Sequence, residues 1–537
     1  MSKYIFVTGG VTSSLGKGII AASLAKLLQA RGYKVTIQKL DPYINIDPGT
    51  LNPYEHGECF VTEDGTETDL DLGHYERFLN IVTSKNNNVT TGKIYQNVIN
   101  NEREGRYLGS TVQVIPHITD EIKNYITSLE QSGNYDIIIT ELGGTVGDIE
   151  SLPYIEAVRQ LRWEKGHSDN LIIHLTFIPY LSSSSELKTK PTQHSVKTLL
   201  AYGIQPDILV CRTEYSLNTD IRKKIALFCN VDKNAVIEAI DANTIYDVPI
   251  NMQKEKLDII ALEKLKLEVK ENPPDLTSWN NFLHQFKNPN KEVTIAFIGK
   301  YVELPDAYKS INEALLHAGV KNRCKVNIKY IHSGKITDYD IAQNYLKDID
   351  GILVAPGFGD RDIEGKILSI RFARENNIPF VGICLGMQCS IIEFARNVLG
   401  YQDANSTEFN GNTPYPVITL MQDQYNKGQL GASMRLGSYN CKIQEDSLAF
   451  KVYGKVSINE RHRHRYEFNN IYKQKFEDAG FIASGINTEL NLVEIMELKN
   501  HRFFIGTQFH PEFKSTVENP HPLFIEYITA VLNYKQN

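Results

Sequence analysis

No two cysteines in the chain are spaced C-x-x-C, and the seven present are scattered and odd in number. That excludes a disulfide framework and a structural zinc site, and it leaves most of them as free buried thiols. No apolar run approaches the roughly 20 residues of a membrane span. No basic and apolar leader precedes the first strand-like run, so the expected location is cytoplasmic, with no membrane partner. Basic residues do not exceed acidic ones: 57 Lys and Arg stand against 64 Asp and Glu, a net charge of −7. Without a basic field, no nucleic acid polymer is expected as a partner, although small anions can still be held locally. Repeats and low-complexity tracts are absent as well. With 42% hydrophobic and 23% charged residues in 537, the composition is that of a globular protein with about two to four cores.

What is present starts with residues 4–18, YIFVTGGVTSSLGKG. A short β-rich run breaks at Gly9-Gly10 into a small-residue loop ending in Gly16-Lys17-Gly18, and an amphipathic helix follows from Ile19 to Ala30. Strand, glycine-rich loop and helix form a phosphate cradle, because backbone N–H groups and the helix N-terminus face the anion and the lysine adds a full charge. The pattern departs from G-x-x-x-x-G-K-[ST]: five residues separate Gly10 from Gly16, and Gly18 stands where a metal-binding hydroxyl is expected. Any metal carried by the nucleotide must then be held by carboxylates elsewhere.

A second strand, Lys34 to Leu40, runs into a long polar segment, residues 41–77, whose interspersed Phe60, Val61, Leu70 and Leu72 favour an ordered, site-forming stretch. Helix and strand then alternate: Ile118 to Gln131 reads as helix, and Asp136 to Glu141, Leu171 to Ile178 and Asp207 to Cys211 as strands. Alternation of this kind means a parallel α/β sheet with ligands at the carboxyl ends of the strands, which puts Lys17 and Glu141 at one edge. Residues 268–292, with Pro273-Pro274 and Trp279, read as a connector. Val293 to Ile298 opens a second series with Val326 to Ile331, Gly351 to Val354, Phe380 to Cys384 and Phe503 to Gln508. The expected organisation is a first domain over 1–267 and a second over 293–537.

In IPFVGICLGMQCSIIE (378–393) a strand ends at Gly-Ile-Cys and a helix begins at once. A thiol on so tight a turn is lifted clear of the sheet and sits at a helix N-terminus, which favours thiolate. Cys384 is thus a nucleophile candidate, whereas Cys389 on the following helix reads as a buried small hydrophobe. Its partners come from FFIGTQFHPEF (503–513), where His510 and Glu512 leave the sheet together. A thiol, a histidine to take its proton and an acid to orient that histidine make an acyl-transfer nucleophile. Gly357 and Gly359, in APGFG, can supply backbone donors to an oxyanion.

These residues resemble a known family. Gly-x-Cys-x-Gly with a distant His-Pro-Glu is similar to the class I, or triad, glutamine amidotransferase domain, a flavodoxin-like fold. The first half resembles, block by block, the P-loop NTPase-like synthase domain of the CTP synthase family: GGVTSSLGKG (9–18), KLDPYINIDPGT (39–50), DLDLGHYERF (69–78), ELGGTVGDIES (141–151), KTKPTQHSV (188–196) and KIALFC (224–229). The fold implied is α/β, two tandem Rossmann-like parallel-sheet domains. The activity implied is amination of UTP to CTP: ATP phosphorylates O4 of the UTP ring, and ammonia from glutamine displaces that phosphate.

The resemblance also implies roles. Ser14, Leu15, Gly16, Lys17, Gly18 and Ile19, with Ile240, Asp241 and Ala242, match the ATP site, and Asp71 and Glu141 match ligands of Mg2+. Lys39 matches a lysine that neutralises the transferring phosphoryl group. Ser13, Lys188, Thr189, Lys190, Pro191, Thr192, Gln193 and Lys224 match the UTP site, while Asp148, Ile149 and Glu150 match positions where CTP binds as inhibitor. Leu385, Gly386, Met387, Gln388, Glu408 and Arg465 match glutamine contacts, with Gly357 and Leu385 as oxyanion donors. His56, in EHGE, falls in a block linked to ammonia passage and to GTP, the implied allosteric activator. A homotetramer is implied, with filaments as a further state left open. One block departs from the family, which commonly has Pro-Gly-Gly-Phe-Gly where this chain has Ala355-Pro356-Gly357-Phe358-Gly359. Two other readings stay open on the residues: an amidating enzyme of the cobyrinic acid type, and a nucleotide-switched scaffold with an inert amidotransferase-like domain.

Overall fold

The computed structural model describes residues 2–420 and 434–536. The chain folds as two compact units, Met1–Asp47 with His74–Leu283, and Pro48–Gly73 with His284–Asn537.

The first unit is built on a seven-stranded sheet. Its strands are β1 (Lys3–Gly9), β2 (Val35–Asp41), β3 (Asn88–Thr90), β4 (Ile137–Leu142), β5 (Asn170–Ile178), β6 (Ile208–Thr213) and β7 (Val236–Ile240), in the order β7-β6-β5-β1-β4-β2-β3. Every pairing in it is parallel. Strands of a parallel sheet are covered on both faces and read as continuous apolar runs; β4, IIITEL, is accordingly buried at every position. The crossover α1 (Lys17–Ala30) buries Gly18 and every residue from Ile20 to Leu28. Register places Val7 and Lys39 on either side of Glu141, so the ends of β1, β2 and β4 meet at one edge.

The second unit carries a nine-stranded sheet of β8 (Lys291–Gly299), β9 (Cys324–His332), β10 (Gly351–Val354), β11 (Phe380–Ile383), β12 (Arg435–Ile443), β13 (Ser457–His464), β14 (Phe481–Asn487), β15 (Leu492–Leu498) and β16 (Phe504–Thr507). The order is β9-β8-β10-β11-β16-β15-β14-β12-β13. The five strands legible as a second series, β8 to β11 and β16, pair in parallel. Beyond β16 the sheet continues antiparallel, an extension that the sequence reading did not contain.

Two segments differ from the sequence expectation. Within the long polar stretch, residues 48–73 pack with the second unit: a hairpin of Phe60–Val61 and Glu67–Thr68 is fastened by Arg461 to Glu63 (2.9 Å) and by Arg463 to Glu67 (2.7 Å). The helix α2 (Asp71–Leu79) follows it. The stretch read as a connector holds a helix, α3 (Thr277–Lys287). Its Trp279 is fully buried in the first unit, 5.1 Å from Phe78, and donates its indole N–H to the Tyr246 carbonyl.

Candidate active sites

In the first unit the loop after β1 places Val11, Ser14 and Gly16 in the left-handed region, with φ of 79°, 57° and 88°. Left-handed residues in so short a loop turn successive N–H groups toward one concavity. A Cβ on Gly9 would lie 2.9 Å from the Lys17 side chain, and one on Gly10 would collide with the Ser195 hydroxyl. The Lys17 ammonium donates to the Gly144 carbonyl at 2.7 Å. Burial lowers its pKa, and the charge of Glu141 opposes that. Lys39, 6% exposed, stands 3.6 Å from Asp41, and Glu141 accepts a short hydrogen bond from the Tyr75 hydroxyl. Lys17, Lys39 and Glu141 are therefore brought together as expected, with Asp41 and Tyr75 added. Both additions lie inside the blocks quoted above, but neither stands out by local pattern. Asp71 opens α2.

A cavity of about 150 Å³ is lined by Leu15, Gly16 and Ile19 from the loop side and by Ile240, Asp241 and Ala242 from the end of β7, with Leu175 and Val210 as apolar floor. Arg212 ties its two sides, donating to the Ser14 carbonyl and to Asp241, both at 3.0 Å. Sequence reasoning missed Arg212; its place at the end of a strand was the available signal. Ser13 and Ser14 are exposed, and Gly18 is buried in the first turn of α1.

Among the residues expected for UTP, Lys190 and Lys224 are exposed, and Lys188 pairs with Glu186. Pro191 opens the helix Lys190–Ala201. Buried Thr189, Thr192 and Gln193 turn inward: Thr192 donates to the Phe177 carbonyl and Gln193 to Thr189, each at 3.1 Å. Their side chains hold the turn. Asp148, Ile149 and Glu150 are exposed, as is His56.

In the second unit Cys384 joins β11 to the helix α5 (Leu385–Asn397) with φ 52° and ψ −103°, taking α4 as the preceding helix Ile363–Glu375. A non-glycine residue held there is strained, the geometry of a nucleophile elbow. The flanking glycines explain how the turn closes. A Cβ on Gly382 would lie 2.7 Å from the Gly386 carbonyl carbon, and one on Gly386 would collide with the Val354 carbonyl. His510 Nδ1 and Glu512 Oε1 are 2.7 Å apart, both residues buried. Burial alone would lower the pKa of His510; the charges of Glu512 and Cys384 overcome it and raise it to about 10. Nε2 of His510 makes no hydrogen bond of normal length, a looseness usual before substrate binds. The thiol lies 3.6 Å from the Gln508 amide nitrogen and 3.7 Å from the Arg463 carbonyl.

The loop 355–359 is held from below. Lys366 donates to the Ala355 carbonyl at 2.7 Å, and Lys300 to the carbonyls of Phe358 and Gly359, both at 2.8 Å. Glu408 accepts from the Gly359 N–H at 2.9 Å. Burial raises the Glu408 pKa despite that bond and the nearby Lys300 and Arg465. Gln388 spans the Tyr466 carbonyl and Gln508 at 2.9 and 3.2 Å. The Met387 side chain is wholly buried in the core. Gly357 does not have a left-handed φ; Gly359 does, at 74°. Lys300, Lys366 and Gln508 were missed, and nothing local in the sequence marks them.

A parallel sheet with a glycine-rich loop before its first helix, and a mixed sheet with a Cys-His-Glu elbow, together define the amidotransferases that couple a nucleotide-binding unit to a glutaminase. The chain matches the family described as CTP synthase N-terminus over residues 3–267 and glutamine amidotransferase class-I over residues 303–530. CTP synthase of Cytophaga hutchinsonii is 66% identical over 533 residues, 99% of this chain and 98% of that one. CTP synthase of Flavobacterium psychrophilum is 64% identical over 534 residues, 99% of each chain. A solved glutaminase domain of Trypanosoma brucei CTPS with bound acivicin is 37% identical and covers 45% of this chain and 94% of that one, at a TM-score of 0.43. The chain belongs to the CTP synthase family and is a glutamine-hydrolysing carbon–nitrogen ligase. Among the described residues no helix is long and apolar enough to cross a membrane.

Proposed function

We propose that the protein makes CTP from UTP, ATP and glutamine by two chemistries on its two units. In the second, the Cys384 thiolate attacks the glutamine amide, the Gly357 and Leu385 N–H groups take the developing oxyanion, and the imidazolium of His510 gives its proton to the departing ammonia. Water then releases glutamate from the thioester. Glu408 and Arg465 hold the ammonium and carboxylate of glutamine. In the first, the loop 14–19 and the cavity beside Ile240 to Ala242 hold ATP. Lys17 and Lys39 neutralise the phosphoryl group passing to UTP O4, and ammonia displaces that phosphate at C4. Ser13, Lys188 to Gln193 and Lys224 hold UTP, with Asp148 to Glu150 discriminating product CTP.

Gly18 offers no oxygen, whereas Glu141 presents a buried carboxylate beside Lys17, a hard donor that fits Mg2+. Glu141 and Asp71 would hold it, and when bound it supplies positive charge to the phosphates. Activation by GTP, inhibition by CTP, a homotetramer and a cytoplasmic location complete the reading. The observation that carries it is the strained Cys384 turn facing a buried His510–Glu512 pair. Mixing protein, UTP, ATP, Mg2+ and glutamine should yield CTP; ATP and glutamine consumed with no CTP formed would rule it out.

A further inference from the structure

Lys366 lies on α4 and is completely buried. It forms no ion pair with a carboxylate among the described residues, and its one hydrogen bond there goes to the Ala355 carbonyl at 2.7 Å. A buried ammonium with a single acceptor is costly to keep, since three donors lose water and only one is repaid. What surrounds it is the reacting centre. A Cβ on Gly357 would come to 3.8 Å from the Lys366 nitrogen and 3.4 Å from Leu385 Cδ2, so the ammonium stands behind the loop that carries one oxyanion donor and beside the residue that carries the other.

The loop itself explains why it needs holding. Ala355 is fixed on one side, its N–H donating to the Ile298 carbonyl at 2.9 Å. Pro356 then has a locked φ but no N–H, so this peptide contributes no hydrogen bond of its own. The orientation of the next N–H, that of Gly357, depends on how the Ala355 carbonyl is set. We propose that Lys366 is the positioning residue of the oxyanion loop: its ammonium fixes the Ala355 carbonyl, and the locked φ of Pro356 leaves its ψ as the one torsion between that carbonyl and the Gly357 N–H. The ammonium also puts a positive charge behind the point where negative charge develops. Burial lowers the pKa of Lys366 to about 8, with Cys389 and Cys384 opposing, Lys300 assisting and Asp362 opposing. The group thus stays charged at neutral pH.

This role rests on reading Cys384 as a glutaminase nucleophile, and the test separates the two. Lys366→Met removes the ammonium and keeps an unbranched stem, while Lys366→Gln keeps a neutral donor on a shorter one. In Lys366→Met, kcat for glutamine hydrolysis should fall on the order of a hundredfold, with KM within about threefold and ammonia-driven CTP synthesis unchanged. A γ-aldehyde analogue of glutamine, which adds to the thiol as a tetrahedral adduct with its oxygen in the hole, should lose affinity in step with kcat. A lost purely structural contact would not move aldehyde affinity and kcat together at constant KM. If Lys366→Met fails to fold, Lys366→Gln decides by the same measurements. Wild-type kcat in a folded variant, or a raised KM with aldehyde affinity untouched, overturns the role. Glutamine hydrolysis surviving in Cys384→Ala would instead overturn the glutaminase reading, whatever Lys366 does.

Discussion

Proline at 356 has no N–H to give, so on the proposed reading the loop donor to the oxyanion is the next peptide N–H, at Gly357. The structure also removes the conformational reason for glycine there. Its φ is not left-handed, and a Cβ would meet Leu385 at an ordinary 3.4 Å. Gly357→Ala should therefore fold normally and lose turnover only as far as its methyl crowds the amide. Gly357→Pro removes the donor and should lower glutamine turnover by the hundred- to thousandfold typical of such a loss, with ammonia-driven synthesis preserved. Equal turnover in the two variants would show that the N–H is not used. Arg435 faces two buried carboxylates, Glu494 at 2.8 Å and Glu467 at 3.5 Å. Burial holds Glu467 well above the usual carboxylate range, the charge of Glu494 adds to that, and Arg435 only partly offsets both. A carboxyl whose pKa is raised by folding contributes stability that is fully present below its unfolded value of about 4.3 and is lost as pH rises through the folded one. Glu467→Gln should flatten the fall of the unfolding midpoint as pH rises above the usual carboxylate range, and an unchanged slope would count against this assignment.

At the scale of elements, the nucleophile elbow depends on β10, β11 and α5 approaching more closely than side chains allow. Gly386→Ala would put a methyl into the Val354 carbonyl. Backbone cannot rotate away as a side chain can, so α5 must shift, at a cost of about 1–3 kcal/mol. The melting temperature should drop and glutamine hydrolysis should be lost, checked by thermal unfolding and glutamate release; wild-type values for both would refute the packing argument. This elbow was legible in the sequence, as was the phosphate loop. In both, a strand, a glycine pair and a helix are contiguous, so local pattern carries the geometry. The antiparallel strands were not legible. ERHRHRYE reads by composition as a solvated basic run, yet Arg461 and His462 are buried in β13. The partner of Arg461, Glu63, lies on a segment remote in sequence, and a charge neutralised from afar leaves no local signal; burial lowers the His462 pKa, so that ring enters the core neutral. Residues 48–73 escaped for the same reason: the arginines that fasten their hairpin come about 400 positions later. Lys300 and Lys366 show the limit from the other side, because a lysine that serves a carbonyl inside the core looks in sequence like one that serves water.

For the whole molecule, each unit has a core of its own, and on the proposed reading the thiol chemistry draws all its groups from the second. Cys384, His510, Glu512, Gly357 and Leu385 stand on strands and loops of the mixed sheet, while Lys17, Lys39 and Glu141 stand at the edge of the parallel one. Chemistries built on separate cores should be separable by mutation, with ammonia the only species that must pass from one to the other. Cys384→Ala should abolish glutamine hydrolysis and glutamine-driven CTP formation, while synthesis from added ammonium salt stays within about twofold of wild type. Lys17→Ala should do the reverse, ending synthesis from either nitrogen source and sparing glutamine hydrolysis measured without nucleotides. The pair matters more than either variant, because general misfolding of the chain would remove both activities together. If ammonia-driven synthesis disappeared in Cys384→Ala while the protein kept its melting temperature, the thiol would have a part in the synthase step, and the division of labour between the two sheets would be wrong.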